Sequence, residues 1–442
     1  MICGWILLLC ALRCGAQEAF TLPNGLRVVM RERHASPLVG IDLWVRAGAR
    51  EESAEEVGSA HFLEHLLFKG TRTRGPGEAD AEIENLGATL NAATGPDAVH
   101  FTTTVARAHL TRALAVLADV VRNATLPDAE VERERGVILD ELAQHEGDAD
   151  ARLLDLLYAR AFDTHPYRRS PGGTAAAIRA RGRDTLAAFY RRVYTPERCV
   201  LALAGDLTPE RARQEAERAF GDWQSPTPIR TAALLPDARP LESEPTAPRS
   251  LSAPVETNRG QIGIAFRAPA AGDAVMACTA QVVAALLGES QRAGRLTALA
   301  GEGIEASARY TPRRDPGLFV LDAALPPANA ADIPARLARL ESTLLSLVNA
   351  LQTAPPTIEE IAAAQRAVLG RAQFDVETNA GLARALGYAE ITGGDSPERF
   401  RARVLRLTRA DILRFVQRYL DPTRRVAVKL LPTHTDEESR RK

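Results

Sequence analysis

FYRRVYTPERCV, from Phe189 to Val200, lies over FVQRYLDPTRRV, from Phe415 to Val426, at one constant offset. Phe189 matches Phe415, Arg192 matches Arg418, Pro196 matches Pro422, Arg198 matches Arg424 and Val200 matches Val426. Each copy reads as an amphipathic helix, a Pro turn and an apolar strand, VLALAG in the first and VAVKLL in the second. Any helix, turn and strand share a general look, yet five identities in one register point to duplication. The chain is therefore expected to consist of two homologous halves.

The surroundings of the two copies fit that division. Residues 226–258 hold SPTPIR in part, then LLPDARPLESEPTAPRS, a Pro-rich polar composition that predicts a linker. The halves then occupy residues 17–225 and 259–434, with a polar tail over 435–442. In the first half, Leu26 to Met30 and Val39 to Val45 read as strands, Ala60 to Phe68 as a helix, and VHFTTTV as β-rich. Helical patterns follow through 107–121 and 128–160. Strands mixed with long helices, without a regular βαβ rhythm, predict an α+β class with two α/β-roll halves.

The 442 residues carry 55 Lys plus Arg against 56 Asp plus Glu, so no global field draws nucleic acid or an anionic membrane. Apolar residues make up 45 % and aromatics 5 %, which excludes a disordered or fibrous chain and predicts an Ala, Leu and Val core. Trp5 to Ala16 contains WILLLCAL and ends in Cys-Gly-Ala before Gln17, which predicts a signal peptide over residues 1–16. A basic n-region is absent and Arg13 interrupts the apolar run. The expectation is a periplasmic or secreted protein without a transmembrane anchor, since no other stretch approaches the ~18–20 apolar residues of a span. Cys199 and Cys278 fall in a strand of one half and a helix of the other, and are expected as buried free thiols.

The chemistry sits at His61-Phe62-Leu63-Glu64-His65. On a helix, positions i, i+3 and i+4 share one face, so His61 and His65 can offer imidazole nitrogens to one cation beside the Glu64 carboxylate. Two neutral imidazoles suit zinc, and a carboxylate beside the metal can take a proton from its water. The bland reading is a solvated His, Glu, His run, but Phe62, Leu63, Leu66, Leu67 and Phe68 make the surroundings apolar. Zinc hydrolases use a third protein ligand. Glu132, Glu134, Asp140, Glu141, His145 and Glu146 crowd VERERGVILDELAQHEGD, which reads as a single helix. Spacing leaves Glu134, Glu141 and His145 open, because all three can lie toward one face.

GSAHFLEHLLFKGT, GATLNAATGPDAVHF, ERGVILDEL, HPYRRSPGG and YTPERCVLALAGDL resemble, in order, motifs of the pitrilysin or insulinase family of inverted-motif zinc peptidases. The likeness is specifically to its short-chain branch, typified by mitochondrial and bacterial processing peptidases. It runs strongly from about Leu22 to Leu207 and more weakly to about Pro432. The resemblance implies that His61, His65 and Glu141 hold one zinc ion, that Glu64 is the general base, and that Glu134 is the supporting carboxylate of the catalytic set. It also places Asn91 and Ala92 on an edge strand to which an extended peptide adds as another strand. Read alone, Asn91 would be a turn residue after Gly87. His100, His109, His145 and His165 match no catalytic position. The family's halves close around the substrate as a clamshell-like chamber, with Glu302 and Asp315 among the candidate charges facing it.

One departure matters. Active members carry an Arg and a Tyr in the second half that hold and polarise the substrate. In the stretch from Arg292, with Gly303 on the family glycine, Leu299 stands at the Arg position and Ala306 at the Tyr position. Arg309 and Tyr310 are candidates for a shifted substitute. The resemblance thus implies a zinc endopeptidase for peptides or unfolded segments, as the metal-bearing subunit of a heterodimer whose other chain lacks the metal motif and supplies the clamp. The alternative is a non-catalytic scaffolding subunit, against which the retained His61, Glu64, His65 and Glu141 argue.

Overall fold

A computed structural model describes residues 17–225, 242–288 and 294–433. The signal segment, the polar tail and Arg292 lie outside the described residues. The first half forms a sheet from β1 (Glu18–Thr21), β2 (Arg27–Glu32), β3 (Leu38–Val45), β4 (Asn91–Thr94), β5 (Val99–Ala106) and β6 (Cys199–Gly205), in the order β1-β2-β6-β3-β5-β4. Its helices are α1 (Ser59–Leu67), α2 (Glu78–Asn85), α3 (Leu110–Arg122), α4 (Asp128–Gly147), α5 (Ala149–Ala161), α6 (Ala175–Ala180), α7 (Arg183–Val193) and α8 (Pro209–Phe220). The second half pairs β7 (Arg249–Val255), β8 (Gln261–Arg267), β9 (Glu305–Tyr310), β10 (Leu318–Ala324) and β11 (Val426–Pro432) in the order β7-β11-β8-β10-β9. It carries α9 (Ala274–Leu287), α10 (Ile333–Thr353), α11 (Ile358–Asp375), α12 (Asn379–Thr392), α13 (Pro397–Val404) and α14 (Arg409–Tyr419).

The duplication holds down to the register. In each half a helix, α7 or α14, runs through a Pro-led turn into the strand that forms the parallel pair, β6 with β2 and β11 with β7. Val200 stands opposite Arg27 and Trp44, and its repeat partner Val426 stands opposite Arg249 and Ala265. The outer hairpins β4–β5 and β9–β10 match in the same way, each ending in an edge strand.

Strand alternation divides each sheet between two layers. In the first, Val28, Met30, Ile41, Leu43, Leu201 and Leu203 face a core with Phe62, Leu63, Leu66, Leu114, Leu117, Phe189 and Phe220 from the half's own helices. The opposite face, with Val29, Trp44, Val200, Ala202 and Ala204, is covered by Leu382, Ala383, Leu386 and Ile391 of α12, a helix of the other half. The second sheet reciprocates: Ala265, Leu318, Val320, Val426 and Val428 pack on Leu153, Leu157, Tyr158 and Ala161 of α5. The halves therefore exchange one helix each. This explains why β6 is apolar and buried throughout its length, as a strand covered on both faces must be.

Two expectations need correction. The helical pattern read through 128–160 breaks at Asp148, whose carboxylate accepts from Asp150 N at 2.9 Å and Ala151 N at 3.0 Å and starts α5 afresh. The break lets α5 leave its own half for the other sheet. The segment read as linker over 226–258 contains β7, which pairs with β11. Its polar outer residues and Pro254 are those of an edge strand, and they hid its alternation. Cys199 and Cys278 are buried free thiols, in β6 and α9. No described helix is long and apolar enough to cross a membrane.

Candidate active site

The site begins with how α1 is started. Gly58, just before it, has φ +82°, and a Cβ on Gly173 would lie 2.7 Å from Gly58 Cα, so two glycines let the 170–173 loop close on the helix N-terminus. Glu52, 2 % exposed, accepts from Gly58 N at 3.0 Å and from Ala60 N at 2.8 Å, satisfying donors the helix cannot use. Burial pushes its carboxyl up to about 7 against the pull of those two bonds. Phe62, Leu63, Leu66 and Leu67 then fill the core, which leaves His61, Glu64 and His65 on the other side of α1.

Helix α4 supplies the rest. His61 Nε2 and His65 Nε2 are 3.3 Å apart, and Glu141 Oε2 lies 3.6 Å from the first and 3.4 Å from the second. Glu134, 4 % exposed, meets His65 from the far side, Oε2 to Nδ1 at 3.0 Å, while its Oε1 pairs with Lys69 Nζ at 3.0 Å. The bond to Glu134 occupies His65 Nδ1 and turns Nε2 toward His61 and Glu141. Burial, then the neighbouring His65, lowers His61 to about 4, so that ring is neutral near pH 7. Two imidazoles and one carboxylate converging on one point, with a carboxylate orienting one ring, fit a zinc ion.

Glu64 stands beside this cluster, and its Oε2 accepts the Thr94 hydroxyl at 2.5 Å. Thr94 ends β4, the sheet-edge strand that also carries Asn91 and Ala92. Glu64, His65, Lys69, Leu90, Asn91 and Ala92 line an open cavity of about 280 Å³ here. Glu64, His65 and the strand edge thus share one cleft.

Of the three residues that spacing left open, Glu134 and Glu141 come to the histidines, while His145 pairs with Asp155 at 2.9 Å. Glu132 pairs with Arg135. His100 bonds Asp42 and stacks on Trp44, and His165 bonds Asp315, so both serve the fold. Thr94, Lys69 and Glu52 are contributors that the sequence reading missed. Lys69 follows His65 by four residues, just past the end of α1, and Thr94 shares a face of β4 with Ala92 two residues before it, so both carried a signal. Leu299 and Ala306, at the clamp positions, are buried. Of the shifted pair, Tyr310 is buried with its hydroxyl donating to Pro269 O at 2.8 Å, and the partly exposed Arg309 pairs with Asp322 of its own sheet at 3.3 Å.

The sequence matches the family described as Insulinase (Peptidase family M16) over residues 27–175, and that family's second domain, described as Peptidase M16 inactive domain, over 182–368. The chain belongs to the insulinase family of peptidases. A probable mitochondrial-processing peptidase subunit beta of Arabidopsis thaliana is 36 % identical over 215 residues, 49 % of this chain and 40 % of that protein. An uncharacterized zinc protease of Mycobacterium leprae is 38 % identical over 201 residues, 46 % of this chain and 45 % of that protein. The matched segment thus spans less than half the length of these curated insulinase relatives. In structure, a protease from Helicobacter pylori superposes with a TM-score of 0.86 at 20 % identity, covering 94 % of this chain and all of that one. A periplasmic protease from Escherichia coli gives 0.74 at 19 % identity, covering 96 % of this chain and 48 % of that one. At such identities the likeness shows the insulinase fold alone.

Proposed function

We propose that this chain is the metal-bearing subunit of a zinc-dependent endopeptidase that hydrolyses peptides or unfolded segments bound as an added strand on β4. The observation that carries the reading is the convergence of His61, His65 and Glu141, with Glu134 behind His65, beside Glu64 at a free strand edge. Zinc held by those three residues supplies a Lewis acid that acidifies water and polarises a carbonyl. Asn91 and Ala92 offer backbone donors and acceptors that align the peptide. Glu64 takes the proton from water and later delivers it to the leaving amine. The Thr94 hydroxyl on Oε2 fixes the carboxylate plane and leaves Oε1 for that proton.

The buried Leu299 and Ala306 support a second chain that brings the substrate clamp. The signal-like segment before Gln17 supports a periplasmic or secreted location, and finding Met1 intact on cytoplasmic protein would overturn it. The chemistry is tested by Glu64→Gln, which should keep stoichiometric zinc and the fold but lower hydrolysis of a quenched peptide by about 100-fold or more. Wild-type turnover in that variant refutes the mechanism. Zinc without cleavage by the unaltered chain, alone or with partners, favours the scaffolding role.

A further inference from the structure

The tips of the two outer hairpins meet beside the start of α1. The β4–β5 tip contributes Asp97, 5 % exposed, and the β9–β10 tip of the other half contributes Arg314 and Asp315. Asp97 accepts from Arg314 N at 3.1 Å and from the Tyr167 hydroxyl at 2.5 Å, and Tyr167 Oη accepts from Asp315 N at 3.1 Å. The Asp315 carboxylate accepts from Arg50 Nε at 2.5 Å and Nη2 at 3.3 Å, and lies 3.0 Å from His165 Nε2. Arg50 is fully buried, and it also pairs with Glu51 at 2.8 Å. Burial alone would raise the Asp315 carboxyl, but His165 and Arg50 hold it down at about 2.

Each of these contacts ends on a segment that holds α1. Arg50 lies two residues before Glu52, whose carboxylate receives the first N–H groups of the helix. Ala49 N and Arg50 N bond Gly95 O and Pro96 O, in the turn that carries β4 and hence Thr94. His165 leads into the loop where a Cβ on Gly173 would fall 2.7 Å from Gly58 Cα and one on Gly172 would lie 3.9 Å from His61 Nδ1. We propose that Asp315, in the half without metal ligands, is a positioning residue for the metal centre, setting the N-terminus of α1 through Arg50 and His165. Arg314 of the same tip also pairs with Glu51, at 3.6 Å, whereas the cross-half pair Arg27–Glu390, at 3.1 Å, is partly exposed and touches no segment that starts α1. The inference rests on the metal-centre reading above.

The test uses the full chain, first metal-free and then with zinc. In Asp315→Asn, amide exchange over residues 59–67 of the metal-free protein should accelerate about 10-fold, reporting a looser helix. Its zinc Kd, by chelator competition, should weaken about 10-fold, the range for residues that orient ligands without touching the metal. In the active assembly kcat should fall while KM holds. Glu390→Gln breaks the Arg27 pair across the same two halves and should leave helix exchange and zinc Kd unchanged. If Asp315→Asn does not fold, Arg50→Lys carries the test with the same criteria, since it keeps the charge and loses the two-pronged contact. Wild-type exchange and wild-type zinc Kd in the folded variant, whatever its melting temperature, overturn the proposal. Absence of peptide hydrolysis in the unaltered chain removes the peptidase reading and leaves this one to be decided by exchange and zinc Kd.

Discussion

Glu134 and Glu141, two turns apart on α4, meet the same imidazole from opposite sides, and only the second approaches His61 as well. The pairing of His61 with His65 was legible in sequence, because a helix repeats its face at i and i+4. That Glu141 joins the two histidines was legible only through family resemblance, because Glu134, Glu141 and His145 can all lie toward one face of a helix whose crossing point no spacing reveals. Glu141→Ala should weaken zinc retention by more than about 100-fold, beyond the loss typical of orienting residues, whereas His145→Ala should leave it intact. Equal loss in both variants, by elemental analysis after dialysis, would reassign the ligand. Asp315 gives a second prediction, in acid. Its carboxyl sits at about 2 against an ordinary value near 4, so its stabilisation is complete above about pH 5 and fades as pH falls toward 2. Roughly 1 kcal/mol of it is gone by pH 3. Denaturant titrations of Asp315→Asn should lose that much less stability between pH 5 and pH 3 than the unaltered chain, and parallel acid slopes would contradict the assignment.

At the scale of elements, the exchanged helices are what the sequence concealed. The periodicity of α12 shows that one face is buried, but no helix names the sheet it will cover. The unbroken apolar run of β6 was a readable sign that both its faces needed cover. The α12 contact is tight enough to test. A Cβ on Gly387 would fall 2.2 Å from Cδ1 of Trp44, whose ring is held by His100 at 4.2 Å between centroids and by Tyr388 at its edge. Gly387→Ala should therefore destabilise by about 1–3 kcal/mol despite alanine's better helix propensity. A Cβ on Gly370, in α11, would meet nothing within 4 Å, so Gly370→Ala should stabilise by about 0.5–1 kcal/mol. A lower thermal midpoint for the first and an unchanged or higher one for the second is the expected pair. The reverse order would show that α12 is not seated as described.

For the molecule as a whole, duplication was readable because one helix, turn and strand kept five identities, and the last of them, Val200 and Val426, stands opposite the first residue of β2 and of β7. The proposed division of labour rests on what each half holds: one brings His61, His65 and Glu141 together, and the other buries Leu299 and Ala306. The isolated chain should bind zinc but cleave a quenched peptide poorly, and a homologue carrying the Arg and Tyr clamp should restore activity on mixing. Full activity from the single chain, unaffected by Tyr310→Phe, would exclude the partner. The helix exchange also bears on biosynthesis. Strand β6 completes the first sheet, yet the helix that shelters Trp44, Val200 and Ala202 begins only at Asn379. At ribosomal speeds of about 5–20 residues per second, the roughly 170 intervening residues take about 10–35 s. During that interval the nascent chain presents a bare apolar sheet face, the kind of surface that chaperones bind and that neighbouring nascent chains can glue together.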